Sequence, residues 1–350
     1  MPKEVKSTKK HMVSVILRVA VAIGALFWVF RGEDIGRHGE TFARLSWWVI
    51  PLSTLAYVLS QVLFAVRWLL LLRTQDIHIG LFPAVKLHFL GLFYNNCLPS
   101  SIGGDLLRAW YVTKHTDEGK KLEAALSVLV DRLVGLSGMI GMAFFCYWVI
   151  PTPEGAVKIE FGGKTNPYNG LYEYKWVLLG AAVFLGAVIA TVLVKSRTNE
   201  RFSTFVDQIW HRGWKVFGKL VMAVRLYCSR PLVVIAAYGL TVVVQSIAII
   251  ATWIVGWQLG IEAPLKYYFV FLPVSWLLGA LPVSIGGIGV MEGGLKFLFS
   301  QLANVSGTQA LDVALAQRII IVLSSLPGLA IHVFGAHLPR GSFLLTPKSH

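Results

Sequence analysis

Hydrophobic positions along the chain fall into long blocks rather than alternating with polar ones. Uninterrupted apolar runs occupy 13–30, 47–72, 124–150, 176–194, 231–257 and 311–336. Each approaches or exceeds the ~20 residues that a helix needs to cross the hydrocarbon core, so the pattern predicts six transmembrane helices. Two further apolar stretches, 81–112 and 265–303, are interrupted by proline and paired glycines. Proline removes a backbone donor and clashes with the preceding turn, while glycine frees the backbone, so these stretches predict helices broken at membrane depth.

The two broken stretches resemble each other. Leu98-Pro99-Ser100-Ser101-Ile102-Gly103-Gly104 returns as Leu281-Pro282-Val283-Ser284-Ile285-Gly286-Gly287, with six of seven positions identical. Upstream, Gln61 and Trp68 are answered by Gln245 and Trp253. Downstream, Asp131-Arg132-Leu133-Val134 and Ser137 are answered by Gln317-Arg318-Ile319-Ile320 and Ser324. Each unit is therefore a span, a broken hairpin and a span.

Composition fits a lipid solvent, with 55% hydrophobic and 14% charged residues, against roughly a quarter charged in soluble domains. The net charge of +14 has to be read loop by loop before it can suggest nucleic acid. Most of it lies in 195–230, which carries eight Lys and Arg against Glu200 and Asp207 and has aromatic and apolar residues at helical spacing. This predicts a basic amphipathic helix on the cytoplasmic leaflet, with an ordinary basic linker as the plainer alternative. Segments 31–46 and 151–175 are charge-balanced and read as external loops. These assignments agree only if 81–112 is a re-entrant hairpin entered from the cytoplasm and 265–303 one entered from outside. Three spans separate them, and an odd number inverts the second unit relative to the first.

The expected fold is thus an all-α polytopic membrane protein, with six transmembrane helices and two re-entrant, Pro/Gly-broken hairpins in an inverted-topology repeat. Residues 1–46 form an anchor helix and external loop, 47–150 the first repeat, and 151–230 a loop, a span and the basic helix. Residues 231–336 form the second repeat and 337–350 a cytoplasmic tail. The basic start before 13–30 lacks a signal-peptide cleavage pattern, so that run reads as a retained anchor. Both termini are expected in the cytoplasm, in the cell's inner membrane. Cys97, Cys146 and Cys228 show no framework spacing and imply neither disulfide nor metal.

Broken helices at membrane depth leave backbone groups that are tolerated only in protein or against a wet cavity, so the hairpins are the expected binding site. Half-helices should begin near Asp105 and Val290, presenting positive dipole ends that suit phosphate. Ser100, Ser101 and Ser284 can cap those ends or bond an anionic headgroup. Ionisable residues at this depth are functional candidates: Asp105, Arg108, Asp131, Arg132, Glu292 and Arg318, with Arg67 and Lys296 at less certain depth. Asp105 and Arg108 lie one turn apart and can pair with each other, and Asp131 and Arg132 can be interfacial. A guanidinium can hold a phosphodiester bidentately, and a carboxylate can hold a cationic headgroup or a proton.

Asn95-Asn96, Leu98-Pro99, Gly103-Gly104-Asp105 and Arg108 resemble the first signature of the flippase-like membrane domains related to the lysylphosphatidylglycerol synthetase transmembrane region. Leu281 to Val290 with Glu292 resembles the second, Asp131-Arg132-Leu133 resembles that family's Glu-Arg-Leu, and Arg318 falls where its late arginine is expected. The resemblance spans nearly the whole chain. It implies lipid translocation, with the binding set Asn95, Asn96, Pro99, Ser100, Ser101, Gly103, Gly104, Asp105, Arg108, Asp131, Arg132, Pro282, Ser284, Gly286, Gly287, Glu292 and Arg318. Nothing resembles the aminoacyltransferase domain of the two-part members, so synthesis of lysyl-lipid is not implied.

The expected function is a non-enzymatic flippase for a phospholipid or other amphiphile, aminoacylated and polyprenyl-linked lipids included. Its partners would be membrane lipids with an anionic headgroup, and no nucleic acid or cofactor is expected. No nucleotide-binding Gly-x-x-x-x-Gly-Lys-Ser/Thr is present, so transport would be passive or ion-coupled. Two alternatives have distinct signatures. One is a scaffold that recruits a lipid- or glycan-modifying enzyme through the basic 195–230 helix. The other is an intramembrane hydrolase built on Ser137 of Gly135-Leu136-Ser137-Gly138 and on His332, although Gly-x-Ser-Gly is equally a helix-packing motif.

Overall fold

The computed structural model describes residues 19–97, 103–116, 120–148, 218, 230–281 and 284–334, apart from 21, 25, 28, 32 and 115. Several expectations fall outside these residues: the loop 151–175, the span 176–194, nearly all of the basic 195–230 segment, the tail 337–350 and the start of the anchor. So do Pro99, Ser100, Ser101 and Pro282 at the hairpin tips.

Helices account for almost all of the described chain: α1 (Ile35–Ala43), α2 (Val49–Arg73), α3 (Leu81–Cys97), α4 (Gly103–Lys114), α5 (Lys121–Trp148), α6 (Pro231–Gln258), α7 (Leu265–Ala280), α8 (Val290–Leu302) and α9 (Gly307–Phe334). Four of them, α2, α5, α6 and α9, are long and apolar enough to cross a membrane. The described positions of the anchor between 19 and 30 are also helical. Prolines mark several starts, where a missing N–H costs nothing: Pro83 in the first turn of α3, Pro231 opening α6, and Pro264 just before α7. The segment 31–46, read from sequence only as a loop, holds the short α1, because the Asp34 carboxylate accepts the Gly36 N–H at 2.9 Å and caps it.

Both apolar stretches that the sequence marks as broken are broken. The first divides into α3 and α4 around 98–102. The second divides into α7 and α8, with Leu281 extended and a 3₁₀ turn at Ile285–Gly287. Gly286 (φ 54°) and Gly289 (φ 80°) take left-handed conformations that a side chain would penalise. In each case the two arms pack against each other.

Packing maps onto itself when the two repeats are exchanged. α3 packs on α9 as α7 packs on α5, α4 packs on α5 as α8 packs on α9, and α2 packs on α3 as α6 packs on α7. The pair α2–α6 is its own counterpart. The sequence repeat is thus a repeat in space.

The inside–outside pattern is that of a protein dissolved in lipid. Leu55, Leu59, Leu133, Ile140, Phe144, Ile235, Val242 and Val322 are exposed along the long helices, while Gln61, Arg67, Asp131, Thr241, Gln245 and Gln317 are buried. Beneath the first hairpin, Trp68, Leu72, Ile77, Ile79, Leu87 and Val128 form a core. Beneath the second, the Phe299 ring stands edge-on to Tyr268 and Phe271 at 4.9 and 5.1 Å.

Candidate functional site

Each long helix contributes polar residues from its middle. Gln61 lies at the centre of α2 and Arg67 about three-quarters along it, Asp131 and Arg132 just before the centre of α5, Gln245 at the centre of α6, and Arg318 just before the centre of α9. With the hairpin residues Asn95, Asn96, Asp105, Arg108 and Gly286 they line one cavity of about 270 Å³, room for several water molecules or a polar headgroup. Burial at mid-helix is costly for any charge, so the arrangement must be paired or wet.

In the first repeat the pairing is a chain. Arg67 is 3% exposed and saturated: Nε donates to Asp131 Oδ1 at 2.9 Å, Nη1 to Thr241 Oγ1 at 2.8 Å and Nη2 to the Asp131 carbonyl at 3.1 Å. Asp131 Oδ2 then stands 3.6 Å from Arg108 Nη2, and Arg108 Nη1 stands 3.6 Å from Asp105 Oδ1. Arg132 Nε and Nη2 approach Asp105 Oδ2 at 2.6 and 2.5 Å, a tight charge-assisted contact. The helical Asp105–Arg108 pair therefore exists but is the looser of the two that Asp105 makes. Asp131 and Arg132 lie ten and eleven residues into α5, just before its centre.

Arg108 differs from its neighbours. Its guanidinium lies over the Trp68 ring at 4.3 Å, it is 4% exposed, and its Nε and Nη2 have no hydrogen-bond partner among the described residues. Two glycines make room for it. A Cβ on Gly91 would meet Arg108 Cδ at 2.9 Å, and one on Gly104 would meet the Gly91 carbonyl oxygen at 1.9 Å. The hairpin arms touch backbone to backbone, and Arg108 lies beside the contact.

In the second repeat one pair does the corresponding work. Arg318 Nε donates to the Glu292 carboxylate, which also accepts the Gly289 N–H at 2.7 Å, and Arg318 Nη1 donates to the Gly286 carbonyl at 3.0 Å. Both repeats thus tie the arm after the break to the following span by an arginine–carboxylate pair. The two hairpins also abut, since a Cβ on Gly286 would lie 3.1 Å from the Asn96 carbonyl oxygen.

At each half-helix start one backbone N–H is bonded by a nearby side chain. Gly104 N–H donates to Asn95 Oδ1 at 2.8 Å and Gly289 N–H to Glu292. Ser284 is buried, and its Oγ has no partner among the described residues. Gly103 opens α4 and Gly287 closes the 3₁₀ turn. The cavity also includes Phe64, His88, Gln245 and Trp276, which the sequence-derived set omits, and Arg67, which the sequence names as an ionisable candidate without placing it in that set. Polar residues inside otherwise apolar stretches were the available signal for Arg67, His88 and Gln245. Ser137 bonds the Leu133 carbonyl and the Tyr238 hydroxyl, His332 bonds the Tyr94 hydroxyl, and no hydrogen bond joins Ser137 to His332 among the described residues.

A second charged cluster lies about six residues, or roughly 9 Å, before Arg318 along α9. His38 Nδ1 is 2.6 Å from Asp312 Oδ1, and its Nε2 is 3.6 Å from Glu33. Lys296 Nζ reaches Glu33 at 2.7 Å and the Val29 carbonyl at 2.9 Å, and Thr308 donates to Glu33 at 3.0 Å. Burial alone would raise the Glu33 pKa. The Lys296 and Thr308 hydrogen bonds, with the charges of Lys296 and His38, outweigh that and hold it below its ordinary value. These contacts fasten the anchor and α1 to α8 and α9.

Comparison with known proteins gives the chain's family. The family model described as "Lysylphosphatidylglycerol synthase TM region" matches residues 15–328. A UPF0104 membrane protein of Pyrococcus horikoshii is 26% identical over 127 residues, which is 36% of this chain and 36% of that relative's length.

Proposed function

Given that the chain belongs to the lysylphosphatidylglycerol synthase TM region family of membrane proteins, we propose that it moves a membrane lipid between leaflets through the cavity between its two hairpins. One observation carries the reading: the polar cavity takes lining residues from all four membrane-length helices, Gln61, Asp131, Gln245 and Arg318 near their centres, and is lined by Arg67, Arg108, Arg132 and Arg318. Guanidiniums gathered inside a membrane protein are rare outside functional sites. A phosphate offsets the cost of burying them by satisfying several N–H groups at once.

The headgroup enters this cavity while the acyl chains stay in lipid. The hairpins are re-entrant, one from each face, with both termini on the cytoplasmic side of the inner membrane, and the loop charges support this orientation. The matched ties Arg132–Asp105 and Arg318–Glu292 give each hairpin a latch that a phosphate can open by competing for the arginine. The cargo's anionic group is the partner that the arginines select.

Reconstitution tests the reading. Proteoliposomes carrying tail-labelled fluorescent phosphatidylglycerol should expose the inner-leaflet label to dithionite faster than protein-free vesicles, and Arg318→Ala should slow that exposure. Exposure no faster than in protein-free vesicles, with and without an imposed proton gradient, would contradict it.

A further inference from the structure

The cavity's free groups are unequal in kind, and that inequality bears on the cargo. Among the described residues, the buried N–H groups of the lining that lack a partner are Asn96 Nδ2, Arg108 Nε and Nη2, Trp276 Nε1 and Arg318 Nη2. Against these five stand three acceptor atoms: Asp105 Oδ1, Gln245 Oε1 and the ring Nδ1 of His88. His88 Nε2 faces Gln61 Oε1 at 3.0 Å and so carries the ring proton, which leaves Nδ1 as the acceptor.

The acceptors are poorly placed for a cation. Asp105 Oδ1 stands 3.6 Å from the Arg108 guanidinium, and its carboxylate is already gripped by Arg132. Asp131 is held by Arg67 and faces Arg108. Glu292 is held by Arg318 and by its own helix terminus. Four guanidiniums against these three carboxylates leave one net positive charge. An ammonium entering the cavity would meet only carboxylates already paired with arginine and would add to that charge. A phosphodiester instead finds Arg108 Nε and Nη2 buried and without a hydrogen bond among the described residues, the latter facing Asp131 Oδ2 only at 3.6 Å.

We infer that the cavity selects a lipid whose phosphate is its only charged headgroup group, with an uncharged hydroxylic remainder, and rejects lipids that carry an ammonium, aminoacylated phosphatidylglycerol included. Arg108 is the residue that reads the phosphate. The inference rests on the transport reading above, and it sets this chain's cargo apart from the lipid in the family's name.

Proteoliposomes of phosphatidylcholine, doped in parallel with tail-labelled phosphatidylglycerol or tail-labelled lysylphosphatidylglycerol, provide the test. Phosphatidylglycerol should cross faster by about tenfold or more, a ratio within reach of one uncompensated charge in a partly buried site. Arg108→Gln should slow phosphatidylglycerol and bring the ratio toward one, in protein that remains monodisperse and keeps its helical circular dichroism. A slower rate at unchanged ratio would mean that Arg108 only supports the fold, and it would overturn its assignment. Lysylphosphatidylglycerol crossing as fast as phosphatidylglycerol would overturn the selectivity and leave the transport reading standing. Neither lipid outpacing protein-free vesicles would overturn both. Uptake of labelled glycerol 3-phosphate by the same vesicles would assign the phosphate site to a soluble ester and overturn the lipid assignment.

Discussion

Arg67 and Arg108 occupy the same cavity with the same burial, yet their nitrogens have different work. Every Arg67 nitrogen donates to Asp131 or Thr241, so its removal leaves the buried Asp131 carboxylate with only the looser Arg108 contact at 3.6 Å. Arg67→Leu should therefore cost about 3–5 kcal/mol of stability, measured by thermal or denaturant unfolding in detergent. Arg108 makes ion pairs only at 3.6 Å, stacks on Trp68, and keeps N–H groups without a hydrogen bond among the described residues, so Arg108→Gln should cost less stability and more transport. Equal stability losses in the two variants would contradict this division. At Glu33 the sign is set by a pKa held below 4.5. Its ion pair contributes fully above pH 4.5 and is lost as pH falls through the lowered folded value. Lys296→Met should remove that dependence, giving a lower melting temperature at neutral pH and a shallower fall below pH 4.5. Parallel pH profiles for the two proteins would exclude the pair as their cause.

The elements depend on two kinds of glycine, and only one was readable in advance. Breaks at Leu98-Pro99 and Leu281-Pro282 announced themselves, because proline and paired glycines cannot continue an apolar helix, and α4 and α8 begin within two residues of the positions so derived. The role of Gly104 was not legible. It belongs to the sequence motif, but what requires it is Gly91 on the other arm, thirteen residues earlier, where the backbones touch. Gly104→Ala should lose roughly 1–3 kcal/mol or more through overpacking. Gly141→Ala, where a Cβ meets nothing within 4 Å, should be neutral or gain up to about 1 kcal/mol. A neutral Gly104→Ala in unfolding experiments would show that the arms are not pressed together. Pairing was equally hidden. Sequence spacing suggested Asp105 with Arg108 and left Glu292 and Arg318 as separate candidates, whereas the tight partners, Arg132 to Asp105 and Arg318 to Glu292, lie 27 and 26 residues apart. Helical periodicity reports neighbours three or four apart and is silent beyond that.

At the scale of the whole molecule, the repeat detected as a seven-residue self-match returns as a packing pattern that survives exchange of its halves. The halves differ in charge where they meet. The first brings Arg67, Asp105, Arg108, Asp131 and Arg132 to the cavity, and the second brings Arg318, backed by Glu292. The charge of the cavity is therefore carried mainly by the first half, although the packing is shared by both.

The claim that a lipid passes through this cavity is tested most directly by blocking it from within. In a background without Cys97, Cys146 and Cys228, Met139→Cys places a thiol on the cavity wall, and Ile140→Cys places one on the outer face of the same helix. Modification with a bulky maleimide should abolish fluorescent-lipid movement in the Met139→Cys protein and leave the Ile140→Cys protein active. Transport that survives complete labelling at residue 139, or that is lost equally at both positions, would contradict the account.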